Sequence, residues 1–369
     1  MIHLHSTGLV YRNPFPNIRS LHAFFPSVLE TRPGRLLVCF DRGSAMENRD
    51  VRSVWASSED GGARWSEPVE FPFWRNLPET VSVSSRMSRS GEGALYLLIT
   101  EFHRQHPEEG LANPETDGFV RTEFLVSRSS DEGESWTEPV RVEPPLAWDR
   151  YETCSPLTCL DENRLLFPTA IWPNWEGERP FGMKAIAFRS KDAGRTWTDT
   201  VTVLDDGANR IASWEQKQAV LSDGRVLAVC WAHDLKTGKS LKNRYTFSED
   251  GGETFHPWVE SPLQGETCTP LSLPDNRVLF LYRRTDRRGL WAHLARFEGT
   301  EWVPLNDAPV WGTSEASYSG TSEKTFEQLS TLRFGYPQAC LLSDGDIFCV
   351  FWCVEECVAN IRWARLRVG

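Results

Sequence analysis

Four short segments of this chain repeat one pattern: Ser, any residue, Asp, any residue, Gly, two further residues, then an aromatic. They are Ser58-Asp60-Gly62-Trp65, Ser129-Asp131-Gly133-Trp136, Ser190-Asp192-Gly194-Trp197 and Ser248-Asp250-Gly252-Phe255. Each specifies a tight hairpin turn. The Asp carboxylate can accept backbone N–H groups within the turn. The Gly supplies a backbone angle that other residues resist, and the aromatic packs back under the loop. One match would carry little weight, but four in register impose a structural repeat on the chain.

A second repeat interleaves with the first: apolar strand, short polar turn, apolar strand. It occurs at 26–40, 85–100, 156–169, 219–231, 270–282 and 339–352, with Asp223-Gly224 and Asp344-Gly345 as the clearest hairpin signals. Six copies predict an all-β, six-bladed β-propeller of four-stranded antiparallel blades. The aromatic-capped turns would join the third and fourth strands of the first four blades. The alternating segment 360–368 supplies a third strand for the last blade, and an N-terminal strand near 7–11 would supply its fourth. That arrangement closes the ring and leaves no open sheet edge. No long helical period marks a second unit, so residues 1–369 are expected to form one domain. The polar stretch 311–326 suggests a long loop, with room for a short helix, over one face.

Composition narrows the function. The formal charge is −11, which argues against a nucleic-acid partner but leaves room for a local basic pocket. The sequence holds 16 Trp, spread along its length, consistent with structural repeats or a sugar-stacking surface. Nine Cys include no CxxC pair; Cys349, Cys353 and Cys357 are spaced by four, and free thiols fit better than a metal site. No metal or cofactor is expected. No apolar run approaches a membrane span. The first residues lack the basic start and apolar run of a secretory leader, so a cytoplasmic location is expected, or secretion if the start has been trimmed.

In a propeller the first strand of each blade lines the central channel, so the starts of those strands converge. Aligning the copies brings together His22, Glu152, Glu215, Glu266 and Tyr336, while the second blade offers only small residues near 80–84. Clustered carboxylates raise one another's pKa, which suits acid–base work. The alternative is that these residues only solvate the channel mouth.

With these features the chain resembles the sialidase (neuraminidase) superfamily. The segment Trp214-Glu215-Gln216-Lys217-Gln218 resembles the family's glutamate segment, and Gly335-Tyr336-Pro337-Gln338 its tyrosine segment. The resemblance spans nearly the whole chain and implies an exo-acting glycoside hydrolase removing an acidic sugar from a glycan. It implies Tyr336 as nucleophile and Glu215 as its base, because a phenol needs a neighbouring carboxylate to act near neutral pH. It also implies an Asp acid/base catalyst after the second strand of the first blade, where Asp50 matches best and Asp41 is the fallback. Three arginines would grip the substrate carboxylate. Arg244 fits the second position and Arg283 or Arg284 the third, with Arg42, Arg52 and Arg333 as supplements. The first position is missing: Phe24 and Phe25 precede Pro26 where the family has arginine. His22 could bind a different sugar there, or exchange a proton near neutral pH.

The residues leave two other functions open. A uronate-specific polysaccharide lyase could use His22, Tyr336 and Arg244. A non-catalytic propeller could bind carbohydrate or protein through exposed Trp. The sequence does not fix the oligomeric state.

Overall fold

A computed structural model describes residues 1–105, 108, 110–314 and 331–369. Six antiparallel sheets, the blades, form the ring. Blade I runs β2 (His22–Arg32), β3 (Arg35–Gly43), β4 (Arg52–Ser58) and β5 (Val69–Glu70). Blade II runs β6 (Val81–Arg89), β7 (Leu95–His103), β8 (Arg121–Ser129) and β9 (Val140–Val142). Blade III runs β10 (Thr158–Cys159), β11 (Leu165–Ala170), β12 (Ala185–Ser190) and β13 (Asp199–Leu204). Blade IV runs β14 (Ile211–Val220), β15 (Val226–Asp234), β17 (Arg244–Ser248) and β18 (Val259–Glu260), with β16 (Lys239–Ser240) paired to β15. Blade V runs β19 (Gly265–Ser272), β20 (Arg277–Arg284), β21 (Leu290–Glu298) and β22 (Glu301–Trp311).

Blade VI combines both ends of the chain. Its strands are β23 (Phe334–Leu341), β24 (Ile347–Glu355), β25 (Val358–Val368) and β1 (Ile2–Tyr11). Strand β1 pairs with β25 from Ile2↔Val368 to Tyr11↔Ile361, closing the ring as expected. The predicted loop at 311–326 lies mostly outside the described residues, which stop at 314 on that side.

The second strand of each blade is apolar because both its faces are covered by neighbouring blades. In β3 the run Arg35–Asp41 is entirely buried. Phe40, Phe348 and Val350 meet in one cluster between blades I and VI. The repeated turns connect the third and fourth strands of blades I to IV. In each, the Asp Oδ1 accepts a backbone N–H four residues on, from Arg64, Ser135, Thr196 and Thr254, all at 2.9 Å. The Ser hydroxyl accepts the N–H of the turn glycine, at 2.9 Å for Gly62. Gly62 has φ 97, and a Cβ there would lie 2.7 Å from the Phe348 ring, so conformation and space both demand glycine.

The inner strands carry the feature that positions the site. In β2, β14, β19 and β23 the pairing register slips at Phe24/Ser27, Trp214/Lys217, Glu266/Thr269 and Gly335/Gln338. One residue at each slip adopts a left-handed backbone: Phe25 at φ 50, Glu215 at 52, Thr267 at 53 and Tyr336 at 51. None is glycine, so each bulge costs local strain. A bulge re-aims a side chain out of the pleat, and in these four blades it directs one residue each to the central channel.

All nine cysteines are free thiols, and Cys349 and Cys353 are buried while Cys357 is exposed. No helix among the described residues is long and apolar enough to cross a membrane.

Candidate active site

A cavity of about 210 Å³ opens at the channel mouth, where the bulged residues converge. Phe25, Glu215 and Tyr336 line it, as do Asp41, Arg86 and Glu152. A smaller hollow of about 90 Å³ shares Glu215 and Tyr336 and adds Glu266 and Arg283.

Tyr336 is buried, with its phenol at the centre of a charged network. Arg86 Nε donates to its oxygen at 2.7 Å, and the hydroxyl donates to the Cys154 carbonyl. The same guanidinium lies 3.4 Å from Asp41 Oδ2 and donates to Ser84 Oγ at 2.8 Å. Asp41 is fixed by Ser84 Oγ at 2.5 Å and Ser53 Oγ at 2.8 Å. Burial opposes the Arg86 charge, but Tyr336 and Asp41 outweigh it and hold its pKa above the usual value. Burial pushes the Tyr336 phenol up, against the pull of Arg86. Lys217 Nζ sits 4.0 Å from the centre of the Tyr336 ring and donates to Thr269 Oγ1 at 2.7 Å. Burial depresses its pKa to about 8.

The carboxylates form a second network. Glu215 N–H donates to Glu152 Oε2 at 2.6 Å, and Thr267 N–H donates to Glu215 Oε2 at 2.5 Å. Each bulge amide on blades IV and V is thus held by a carboxylate from the preceding blade. Burial, reinforced by the Glu215 charge, raises Glu152 to about 8. Burial also raises Glu215, against the opposing influence of Arg283. A carboxyl raised this far favours its protonated form near neutral pH, the form that a general acid needs.

Aromatic rings wall the other side. Trp172 and Trp214 stack with centroids 5.2 Å apart at 15°, and Trp231 lies 5.0 Å from Trp214. Trp172 and Trp214 are buried, and neither indole N–H has a hydrogen-bond partner. Such a wall offers a flat face for a sugar ring.

The residues proposed from sequence divide into two sets. Tyr336, Glu215, Glu152 and Asp41 line the main cavity, and Glu266 lines the smaller one beside Arg283, to which it is ion-paired. The others lie outside these two linings. Asp50 is exposed and accepts the Ser44 N–H at 3.1 Å. His22 Nδ1 accepts the Ala359 N–H at 3.1 Å. Arg42 pairs with Glu70 at 3.3 Å, Arg284 pairs with Asp286, and Arg244 stacks 3.6 Å over Trp258. Arg52 donates to backbone carbonyls, to Val51 O at 2.8 Å. Arg86, Lys217 and the Trp172–Trp214 wall were not anticipated. Arg86 follows Ser84 and Ser85 on an inner strand, and an arginine set among small residues there is the available signal.

Among the described residues, Glu101, His103 and Glu123 could reach one metal ion. Arg121 and Arg141 already engage Glu123, with Arg141 at 3.0 Å. With two arginines already on Glu123, the trio reads as part of an ion-pair network.

The architecture is that of solved propellers with low sequence identity. It matches a protein of unknown function from Dyadobacter fermentans with TM-score 0.74 and 19% identity, covering 100% of this chain and 99% of that one. It matches the Hadza microbial sialidase with TM-score 0.62 and 15% identity, over 93% of this chain and 65% of that one. It matches a Penicillium chrysogenum alpha-L-arabinanase complexed with arabinobiose with TM-score 0.65 and 13% identity, over 98% of each chain. The chain has the sialidase-like propeller fold, and its neighbours include glycoside hydrolases. No protein-family model matches the sequence, and no curated protein does.

Proposed function

We propose that this protein is a glycoside hydrolase whose central cavity binds a neutral sugar. One observation carries the proposal: a phenol and two carboxyl groups share one cavity with an aromatic wall. Tyr336 is the nucleophile and Glu215 accepts its proton, because an unassisted phenol is too weakly acidic to react near neutral pH. Arg86 stabilises the phenolate as it forms. Glu152 protonates the departing glycosidic oxygen, and Tyr336 bonds to the anomeric carbon as the bond to that oxygen breaks. In the second half, the Glu152 carboxylate takes a proton from water, and the resulting hydroxide displaces Tyr336, which recovers its proton from Glu215. Asp41 orients Arg86 without touching the sugar.

The choice of a neutral sugar follows from the cations. Arg86 is committed to Asp41 and Tyr336, and Arg283 to Glu266. Neither leaves a bidentate face for a substrate carboxylate. The same commitment weakens a uronate lyase, which needs a cation on the acid. Buried Trp rings likewise disfavour a binding propeller built on exposed platforms.

A panel of fluorogenic neutral glycosides and an α-sialoside, assayed side by side, tests the proposal. Turnover of a neutral member, lost in Tyr336→Phe, is expected. Turnover confined to the sialoside would sink the neutral-sugar assignment, and turnover unchanged in the variant would sink the nucleophile.

A further inference from the structure

Beside the central cavity lies a second hollow of about 400 Å³, between blades II and III. The two share Phe119 in their walls, so they adjoin on one face of the ring. Arg104, Arg121 and Arg150 line the second hollow together with His103, and Glu176 is the one carboxylate among the described residues that line it. Such a concentration is notable in a chain whose formal charge is −11.

Two of these guanidinium groups have donors to spare. Arg104 is 5% exposed; its Nη1 donates to Ser82 Oγ at 2.7 Å and its Nη2 to the Glu47 carbonyl. Both partners are neutral oxygens, and Arg104 Nε has no partner. Arg150 Nη1 lies 2.6 Å from Asp149 Oδ1, and its Nε also has no partner. Arg121 is paired with Glu123. Both Nε atoms are enclosed, so an anion in the hollow would answer the charge of the two guanidinium groups that line it, not the missing Nε partners. The hollow also lies where a chain leaving the central cavity past Phe119 would run.

We propose that this hollow is the leaving-group subsite and holds an acidic sugar unit, its carboxylate or sulfate received by Arg104 and Arg150. The assignment as a leaving-group subsite rests on the hydrolase proposed above. The full substrate would then be a glycan in which a neutral unit is linked to an acidic one. The central cavity handles the neutral unit, and the basic hollow selects its neighbour.

Isothermal titration calorimetry on the full chain tests this with methyl glucuronide, glucosamine 6-sulfate and methyl glucoside. One acidic sugar should bind about tenfold more tightly than methyl glucoside, as a charge-assisted hydrogen bond to a buried arginine allows. Whichever acidic sugar is preferred identifies the anion. Arg104→Met should bring the ratio to one, with its fold checked by circular dichroism. If that variant unfolds, Arg150→Met is measured for the same loss. Equal affinity for acidic and neutral sugars, or a preference that survives the substitution, would overturn the subsite. Binding is read without turnover, so an inactive chain that keeps its acid preference would overturn the hydrolase alone.

Discussion

At the residue scale, the active-site assignment depends on two displaced proton affinities. Glu152 is raised to about 8 and must be protonated to act as acid. Glu215 is raised above its usual 4.5 and must be ionised to act as base. Activity should therefore rise with pH as Glu215 ionises and fall as pH passes about 8, with Glu152→Gln abolishing the alkaline limb along with most of the rate. A pH–rate profile checks both limbs. Stability follows the same groups. A carboxyl raised in the folded state stabilises fully below its unfolded pKa, and that contribution is lost as pH rises to about 8. Lys217, depressed to about 8, has the opposite sign and restores stability as pH climbs from there towards 10.5. Thermal unfolding of Glu152→Gln should show a smaller loss between pH 5 and 8 than the parent chain. Arg86→Met would leave Asp41 buried without its ion pair and should cost about 3–5 kcal/mol, measured by denaturant unfolding.

The same scale shows where sequence reasoning reached the site and where it stopped. Glu152, Glu215 and Tyr336 were legible because the blade repeat aligns the starts of their strands. Arg86 was not, because β6 pairs with β7 without a register slip and brings its arginine to the channel from mid-strand. Asp50 was preferred to Asp41 on its place in a loop. In the structure Asp41 sits on β3, paired with Phe24 beside the bulge, while the Asp50 carboxylate turns back to its own loop. Spacing along a sequence does not reveal that return.

At the element scale, the bulges and turns divide the labour. The turns hold the outer strands, and their chemistry was plain in the repeated Ser, Asp and Gly. Gly62→Ala should cost about 1 kcal/mol or more, since it adds a left-handed strain and a contact with Phe348. The inner bulges were invisible, because Phe25, Glu215, Thr267 and Tyr336 share no residue type; only the ladder reveals them. The amides of Glu215 and Thr267 are pinned by carboxylates from the preceding blades, which gives Glu152 a structural task beside the chemical one proposed for it. Glu152→Ala should therefore be less stable than Glu152→Gln by about 1–3 kcal/mol, because only glutamine keeps an acceptor for the Glu215 amide. Comparing the two by chemical denaturation separates the tasks.

At the scale of the whole molecule, closure joins both ends of the chain in one blade of the six-sheet ring. The closing strand was expected near 7–11 and extends from Ile2 to Tyr11. Its outer part escaped notice because an edge strand is half solvated, and residues His3–Ser6 are exposed rather than alternating. Removing residues 1–11 would bare the edge of β25 and should lower the melting temperature and promote association, read by light scattering. Six blades also explain why residues distant in sequence meet: the Glu152 carboxylate, ahead of the first strand of blade III, accepts the Glu215 N–H of blade IV at 2.6 Å. The proposed chemistry has its sharpest test there. The 2-deoxy-2-fluoro analogue of the best neutral glycoside should slow release of the glycosyl–enzyme more than its formation. Mass spectrometry of the digested adduct should place the sugar on Tyr336. An adduct on Glu152 or Glu215, or none while the parent glycoside is still hydrolysed, would contradict the account.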